Sequence, residues 1–287
     1  MLNLGLIAAF ASMMFLSLDA TIAKHLTNRL GKFRYSVSIL GIGIIPMLIY
    51  TLVVGMHAYS VGIVLLSLFA GVFLGAGYAL YYKALETEQI TEVSSIGEIQ
   101  PALLLLFGVF ALGERIDIIE IAGIFSIFVG SFFIVRTKGL EINRMMIPAI
   151  IANISWVVYW ILMDYAITLY GGSVFPLFIA RAFGFVLLLA YVLATRSIEG
   201  GSTHNLNAGK NIVIMMLIAS GIMDSLMNIS FGFVVGIGLL AIGSAIIAAS
   251  PMVVALLGKL FYNDRIRGLQ RIGLVLAVAG AIAISIG

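Results

Sequence analysis

The sequence contains no cysteine and few charged residues. The absence of cysteine excludes a disulfide framework, a thiolate metal site and a cysteine nucleophile. The three histidines, His25, His57 and His204, lie near predicted loops, which argues against a buried histidine metal cluster. Charged residues make up 10% of the chain and hydrophobic residues 62%, with a mean hydropathy of +1.17. This composition excludes a water-soluble globular protein, and we expect neither metal nor cofactor.

The apolar runs predict helices that cross a membrane. A helix needs about 20 apolar residues to span the hydrocarbon layer, so the 287 residues have room for about ten spans and no catalytic domain outside the membrane. The runs are continuous rather than alternating, which excludes a β-barrel. We therefore predict an all-α, multi-pass protein of the cell membrane, surrounded by lipid bilayer, with ten transmembrane helices at residues 3–24, 35–54, 60–82, 92–112, 117–135, 146–167, 174–194, 211–233, 238–260 and 267–286.

The first apolar segment is not expected to be a cleavable signal peptide. It lacks a basic start, is too long, and contains Asp19 before the basic stretch 24–34. We therefore count it as the first span.

The chain resembles itself when shifted by 150 residues. Without any gap the shift aligns pairs of prolines, glycines and acid–arginine turns: Pro101 with Pro251, Gly108 with Gly258, Glu114-Arg115 with Asp264-Arg265, Gly123 with Gly273, and Gly130 with Gly280. We interpret residues 1–136 and 145–287 as two repeats of five spans within one membrane domain. An odd number of spans inserts the second repeat upside down, an arrangement typical of secondary transporters with alternating access.

Several motifs resemble the EamA repeat of the drug/metabolite transporter superfamily. They are Tyr81-Tyr82-Lys83-Ala84-Leu85, Ser94-Ser95-Ile96, Pro101, Leu112-Gly113-Glu114-Arg115, Gly123 and Gly130. The second copy keeps Pro251, Gly273 and Gly280, but has Asp264 in place of the usual glutamate, and 231–235 replaces the tyrosine-alanine-leucine motif. Trp156 and Arg181 also lie where such relatives often carry these residue types.

The resemblance implies a fold and a function. The fold is two inverted EamA units, with a central cavity formed by spans 1–4 and 6–9 and with spans 5 and 10 at the periphery. The function is export or exchange of small polar metabolites, and the aromatic residues and mixed charges named below extend this expectation to amphipathic metabolites such as amino acids. The chemistry of the superfamily is diverse, so the substrate itself does not follow.

Five charged residues are predicted inside or near the spans: Asp19, Glu98, Asp164, Arg181 and Asp224. A charge in the hydrocarbon layer costs about 2.5–3.5 kcal/mol and therefore requires a partner or a water-filled cavity. Glu98, Arg181 and Asp224 are predicted to lie deepest, so that two acids face one base. An acid that binds and releases a proton would serve proton coupling.

We assign proton coupling to Glu98 and Asp224, with Asp19 as a further candidate. Arg181 is assigned as a counter-ion or as a clamp for a carboxylate or phosphate. The alternative is a structural salt-bridge network. For Asp19 and Asp164 the alternative is pairing with Lys24 or a place in the headgroup layer.

Pro101 and Pro251 occupy equivalent positions in spans 4 and 9. Each removes one helical hydrogen bond and frees a carbonyl. We interpret both as hinges of the cavity, the alternative being static kinks.

Aromatic and amide side chains are candidates for lining the cavity. Asn153, Trp156 and Trp160 share one face of span 6, and Asp224 and Asn228 share a face of span 8. We assign as substrate-binding residues Tyr78, Tyr82, Trp156, Trp160, Arg181 and Asn228, each with packing as the alternative role. Gly71, Gly75 and Ala79 in span 3, like the glycine pairs above, predict close helix packing.

Other functional classes fit less well. The sequence has no Walker motif and no repeated filter of a channel, and the stretch Gly221-Ile222-Met223-Asp224 lacks the second glycine of the Gly-x-Gly motif typical of intramembrane aspartyl proteases. We therefore expect neither an enzyme nor an ATP-driven pump. The alternatives to a carrier are a flippase for lipids or polyprenyl carriers and a structural membrane partner. Uptake of a soluble metabolite that is lost in Glu98→Gln would separate the carrier from both. We expect a small-molecule substrate, no nucleic acid and a monomer.

Basic residues predict the orientation. Of the 16 Lys and Arg residues, Arg181 lies in a span and Arg115 in an even-numbered connection, while the remaining 14 lie in or beside odd-numbered connections. The positive-inside rule then places both termini outside, whereas the family resemblance implies termini inside.

Overall fold

The structure is a computed structural model that describes residues 2–54, 60–87, 99–135, 147–170, 175–195, 210–262 and 268–286. Over these ranges the regular structure is helical and contains no strand, which confirms the all-α prediction. The helices are α1 Leu2–Leu30, α2 Lys32–Val54, α3 Val61–Thr87, α4 Ile99–Phe110, α5 Ile118–Val135, α6 Ile147–Leu169, α7 Phe175–Thr195, α8 Lys210–Gly236, α9 Leu240–Ile247, α10 Ser250–Tyr262 and α11 Gly268–Ile286.

Seven stretches of the described residues are long and apolar enough to cross a membrane. They lie in α1, α2, α3, α6, α7, α8 and the α9–α10 pair. Three shorter apolar helices, Gln100–Phe110, Ile118–Phe133 and Gly268–Ile284, coincide with the other predicted spans. The exact number of ten spans stays a prediction.

The outer surface of the helices is apolar and part of the interior is polar. Large hydrophobic side chains such as Val53 and Phe110 are 80% and 82% exposed, whereas Arg181 is 2% exposed. In water this distribution would expose extensive apolar surface, but in lipid it places each side chain in a compatible medium.

Helices α5 and α11 pack closely through glycines. A Cβ atom on Gly123 would lie 2.7 Å from the carbonyl oxygen of Gly280, and one on Gly130 would lie 2.6 Å from that of Gly273. The two helices are thus antiparallel. Gly123 contacts Gly280, the repeat equivalent of Gly130, and Gly130 contacts Gly273, the repeat equivalent of Gly123. Small residues are needed here because the two backbones touch.

The predicted span 238–260 is broken in the middle. Helix α9 ends at Ile247 and α10 begins at Ser250, one residue before Pro251. Near the break, the hydroxyl of Ser131 donates to the carbonyl of Ala248, and that of Ser17 donates to the carbonyl of Ser250 at 3.3 Å. The proline removes a backbone donor, and side chains of α5 and α1 bond carbonyls on both sides of the break. Pro101 lies in the first turn of α4, but residues 88–98 before it, including Glu98, lie outside the described part.

Candidate functional site

The most deeply buried charges form an ion pair between α7 and α8. Arg181 is 2% exposed and Asp224 is 4% exposed. One guanidinium nitrogen of Arg181, Nη2, donates a short hydrogen bond to Asp224 Oδ2. Each charge compensates the other in a place where an isolated charge would be strongly unfavourable.

The Arg181 side chain is held by the backbone of α2. Nε donates to the carbonyl of Leu40 at 3.1 Å, and Nη2 donates to the carbonyl of Ile39 at 2.9 Å. Among the described residues, Nη1 has no hydrogen-bond partner. The guanidinium therefore keeps two N–H donors for a further acceptor.

Gly43 makes room for the Arg181 head group. A Cβ atom at this position would lie 2.5 Å from Cζ and 2.7 Å from Nε of Arg181. The same glycine is tied to α8, because Ser225 Oγ donates to its carbonyl at 2.9 Å. The absence of a side chain at Gly43 is thus a geometric requirement for the position of Arg181.

Aromatic residues extend the site towards α3 and α6. The Tyr78 hydroxyl donates to Asp224 Oδ1 at 3.2 Å. The Trp156 ring packs edge-on against Tyr78, with ring centroids 5.5 Å apart. It also packs against Tyr81 in a tilted arrangement, with ring centroids 5.3 Å apart. Tyr159 interacts electrostatically with both Arg181 and Asp224. The ion pair is therefore bordered by aromatic side chains on one side.

Some buried polar side-chain atoms have no hydrogen-bond partner in the described part of the chain. They are Asn153 Oδ1, Trp156 Nε1 and Tyr159 Oη on α6, and Ser244 Oγ on α9. Of these, Trp156 and Tyr159 belong to the aromatic side of the ion pair. A buried polar atom costs about 1–3 kcal/mol when left unbonded, so these atoms are open to a further hydrogen-bond partner.

A second acid, Asp19 in α1, joins the site from the other side. Its Oδ1 accepts hydrogen bonds from Tyr35 Oη at 3.0 Å and from Ser220 Oγ, and the two hydroxyl oxygens lie 2.6 Å apart. Asp224 and Arg181 both act on it electrostatically. Among the described residues, the charged groups of this site are thus two carboxyls and one guanidinium.

The remaining predicted residues that the structure describes make contacts of their own outside the ion pair. Trp160 is buried against Phe231, with ring centroids 4.5 Å apart, and against Tyr159 at 5.1 Å. Asn228 donates to the backbone carbonyl of Asp224 in its own helix at 2.8 Å. Asp164 is buried near the end of α6. Glu98 and the side chain of Tyr82 lie outside the described residues.

A pocket of about 350 Å³ lies between α1, α8 and α10. It is lined by Leu18, Thr21, Ile22, His25, Met216 and Phe261. Asp19, Tyr35 and Ser220 are not among the lining residues, so this pocket does not include the hydrogen-bonded group around Asp19.

Glu114 links the two halves of the chain through a helix end. Its carboxylate accepts the backbone N–H of Leu240 at 2.9 Å and that of Ala241 at 2.8 Å, at the start of α9. Burial raises the pKa of the Glu114 carboxyl above its ordinary value of 4.5, the two N–H groups oppose this shift, and repulsion from Asp164 adds to it. An acid from the loop after α4 thus caps a helix more than a hundred residues away.

Glu114→Gln is expected to weaken the pH dependence of stability. Because the pKa of this acid is raised in the folded state, its contribution to the free energy of unfolding is fully present below pH 4.5 and is lost as the pH rises through the raised pKa. In detergent, the unfolding temperature should therefore fall more steeply with rising pH across this window in the wild type than in the variant. Identical profiles would contradict the assignment. Glu120→Gln is the control, because Glu120 lies in the first turn of α5 and accepts the nearby backbone N–H of Asp117.

Some residues of the site were not identified from the sequence. Tyr35 and Gly43 fall on one face of α2 with Ile39, and Ser220 falls one turn before Asp224 on α8. Helical spacing alone could have suggested both sets. Nothing in the sequence indicates that backbone carbonyls of α2 would bind Arg181.

Known proteins resemble this chain over most of its length. The model of the EamA-like transporter family matches twice, over residues 3–136 and 143–286. An uncharacterized transporter, YxxF, of Bacillus subtilis (strain 168) is 26% identical over 230 residues, covering 76% of this chain and 68% of that protein. An uncharacterized transporter of Clostridium kluyveri is 29% identical over 133 residues, covering 45% of this chain and 42% of that protein.

A crystal structure of a protein shares the fold. It matches with a TM-score of 0.75 over 98% of this chain and 96% of its own, at 18% sequence identity. Combined with the apolar helices, these likenesses confirm a multi-pass integral membrane protein. The chain belongs to the EamA-like transporter family and is a membrane transporter of the drug/metabolite transporter type.

Proposed function

We propose that the protein is a secondary active transporter that exports or exchanges small polar or amphipathic metabolites, amino acids foremost, coupled to protons. The observation that carries this proposal is the buried Arg181–Asp224 pair, which lies where α2 and α3 of the first half meet α7 and α8 of the second. Ionisable residues this deep in a membrane protein typically mark a transport pathway.

The unused donors and acceptors of the site favour a charged, hydrogen-bonding solute. Arg181 Nη1 offers two N–H donors, and a planar guanidinium is suited to a carboxylate. Asp224 offers an acceptor to an ammonium group. A zwitterionic amino acid satisfies both charges at once, and Tyr159 Oη and Trp156 Nε1 provide further bonds on the aromatic side.

Helix packing supports inverted repeats and alternating access. In the proposed repeats, α1, α2 and α3 correspond to α6, α7 and α8. The contact of α1 with α8 has its equivalent in that of α6 with α3, and the contact of α2 with α8 has its equivalent in that of α7 with α3. The glycine contacts of α5 with α11 exchange equivalent residues in the same way. Such reciprocal contacts are expected from a twofold relation between halves, and rocking of one half against the other would expose a central site alternately. In this proposal Pro101 and Pro251 act as hinges.

Solute exchange in proteoliposomes tests the proposed function. Vesicles with the purified full-length chain are preloaded with one unlabelled amino acid at a time, and entry of the same labelled amino acid is followed. For at least one amino acid, we expect counterflow above that of empty vesicles. Analogues of that amino acid that lack the carboxylate should not compete with it. Counterflow of none of the twenty would contradict an amino acid carrier.

A lipid assay on the same vesicles separates the rival function. A flippase would move fluorescent phospholipid between leaflets, making all of the label accessible to an external reductant. We expect half of the label to stay protected. Full loss of fluorescence together with no counterflow would support the flippase instead.

A further inference from the structure

The two acids of the central site differ in their partners. Asp224 bonds to the guanidinium of Arg181 and to Tyr78. Asp19 bonds to two neutral hydroxyls, those of Tyr35 and Ser220, and both bonds reach the same oxygen, Oδ1. With one cation for two carboxyls, Arg181 neutralises Asp224 and leaves the charge of Asp19 without a direct counter-charge.

Among the side chains that the structure describes, the helices around Asp19 supply no other cation at contact distance. Helix α2 contributes Tyr35, α8 contributes Ser220 and Asp224, and α7 contributes Arg181. Helix α9 has no ionisable side chain, Lys259 of α10 is exposed, and His25 of α1 lines the pocket between α1, α8 and α10. The side chain of Lys24, the alternative partner weighed for Asp19, lies outside the described part.

The second oxygen of Asp19 is open. Among the described residues, Oδ2 has no hydrogen-bond partner, and the side chain is half-buried rather than enclosed. A proton can add to Oδ2 while Oδ1 keeps both hydroxyl bonds. Asp224 lacks this freedom, because its protonation would leave Arg181 buried without a counter-charge.

We propose that Asp19 Oδ2 is the binding site of the coupled proton, an inference that rests on the proposed function and specifies its coupling group. A hydronium ion transfers its proton to Oδ2, an O–H bond forms, and water is released; the reverse step returns the proton on the other side of the membrane.

Asp19 is connected to the solute site through two helices. Ser220 precedes Asp224 by one turn of α8, and Tyr35 precedes Ile39 by one turn of α2. Loss of the negative charge weakens Oδ1 as an acceptor for both hydroxyls. The bonds that hold α1 to α2 and α8 therefore weaken, and these are the helices that position Arg181 and Asp224.

Infrared difference spectroscopy of the purified full-length chain tests the site without any solute. Spectra between acidic and neutral pH should show the carbonyl band of a protonated carboxylic acid. Glu114, whose raised pKa places it in the same pH range, contributes to this region of the spectrum, so the variants are made in a Glu114→Gln background. We expect one component of the band to be lost in Asp19→Asn and kept in both Asp224→Asn and Asp164→Asn. A band with the same intensity in Asp19→Asn, or one that loses a component only in Asp224→Asn, would overturn the inference. Gel filtration checks that each variant is folded.

Transport under a pH gradient provides the second readout. For an amino acid identified by counterflow, the wild type should accumulate it in response to a pH gradient, and Asp19→Asn should not respond to the gradient. If the wild type showed counterflow but no response to the pH gradient, Asp19 would not couple protons to transport, and the proposal that the protein is a carrier would still stand. If the infrared band were assigned to Asp19 but no solute were transported, the proposed function would be refuted instead.

Discussion

Replacing Arg181 with glutamine is expected to abolish solute exchange and to destabilise the protein strongly. The change removes the counter-charge of Asp224, which is buried, and breaking a buried pair typically costs about 3–5 kcal/mol. It also removes the free Nη1 donors, and losing hydrogen bonds to a charged group weakens binding by about 1.5–3 kcal/mol, or about 10- to 150-fold. Thermal unfolding and proteoliposome counterflow measure the two effects.

The double variant Arg181→Gln/Asp224→Asn separates stability from function. With both charges removed, we expect most of the lost stability to return while counterflow stays at background. Arg115→Gln, the same substitution on an exposed loop residue, should change neither measurement. Counterflow that survives in a stable double variant would show that the solute binds elsewhere.

Replacing Gly43 with alanine is expected to impair transport although every charged residue is retained. The new Cβ atom would lie 2.5 Å from Cζ of Arg181, so the guanidinium must move away from the carbonyls of Ile39 and Leu40. Overpacking of this kind costs about 1–3 kcal/mol. We expect reduced solute affinity in counterflow, with an unfolding temperature only moderately lower than that of the wild type.

Gly41→Ala is the matched control on the same helix. A Cβ atom there would meet the Phe185 ring at 3.0 Å, which adds crowding without touching Arg181. We expect a stability loss but near-normal solute affinity. If the two alanine variants had equal affinity, the position of Arg181 would not determine binding.

In the proposed function the Arg181–Asp224 pair has both a structural and a functional role. The contacts of Arg181 with α2 and α8, and that of Asp224 with α3, hold helices from both halves together. The N–H donors that these contacts leave unused are the ones that we propose bind the solute. A solute that bonds to the pair would then also change the contacts between the halves.

Much of the architecture followed from composition and periodicity. Sparse charges and continuous apolar runs allow little besides membrane helices, and the shift of 150 residues indicated the duplication that the double family match also shows. Arg181 and Asp224 were singled out because ionised groups in apolar helices are unfavourable unless they have a function or a partner. Their pairing agrees with the structural alternative as well as with the proposed site.

The partners of these residues were harder to infer. Asp19 was weighed as a headgroup-layer residue because its span was predicted to end at residue 24, whereas α1 continues to Leu30. At Pro251 the sequence predicted a kinked helix, interpreted as a hinge, whereas the structure has a break between α9 and α10. Serine hydroxyls from two distant helices bond to carbonyls at this break, and such partners cannot be read from local sequence.

The sequence by itself determined the helices, their apolar faces, the repeat and the set of charges that require compensation, because each depends on residue type and spacing. The tertiary structure decided which charges meet. Arg181 pairs with Asp224 and donates to two backbone carbonyls of α2, whereas Asp19 accepts hydrogen bonds from two hydroxyls. These choices depend on which helices lie side by side and at what height. Spacing along one helix carries no information about either.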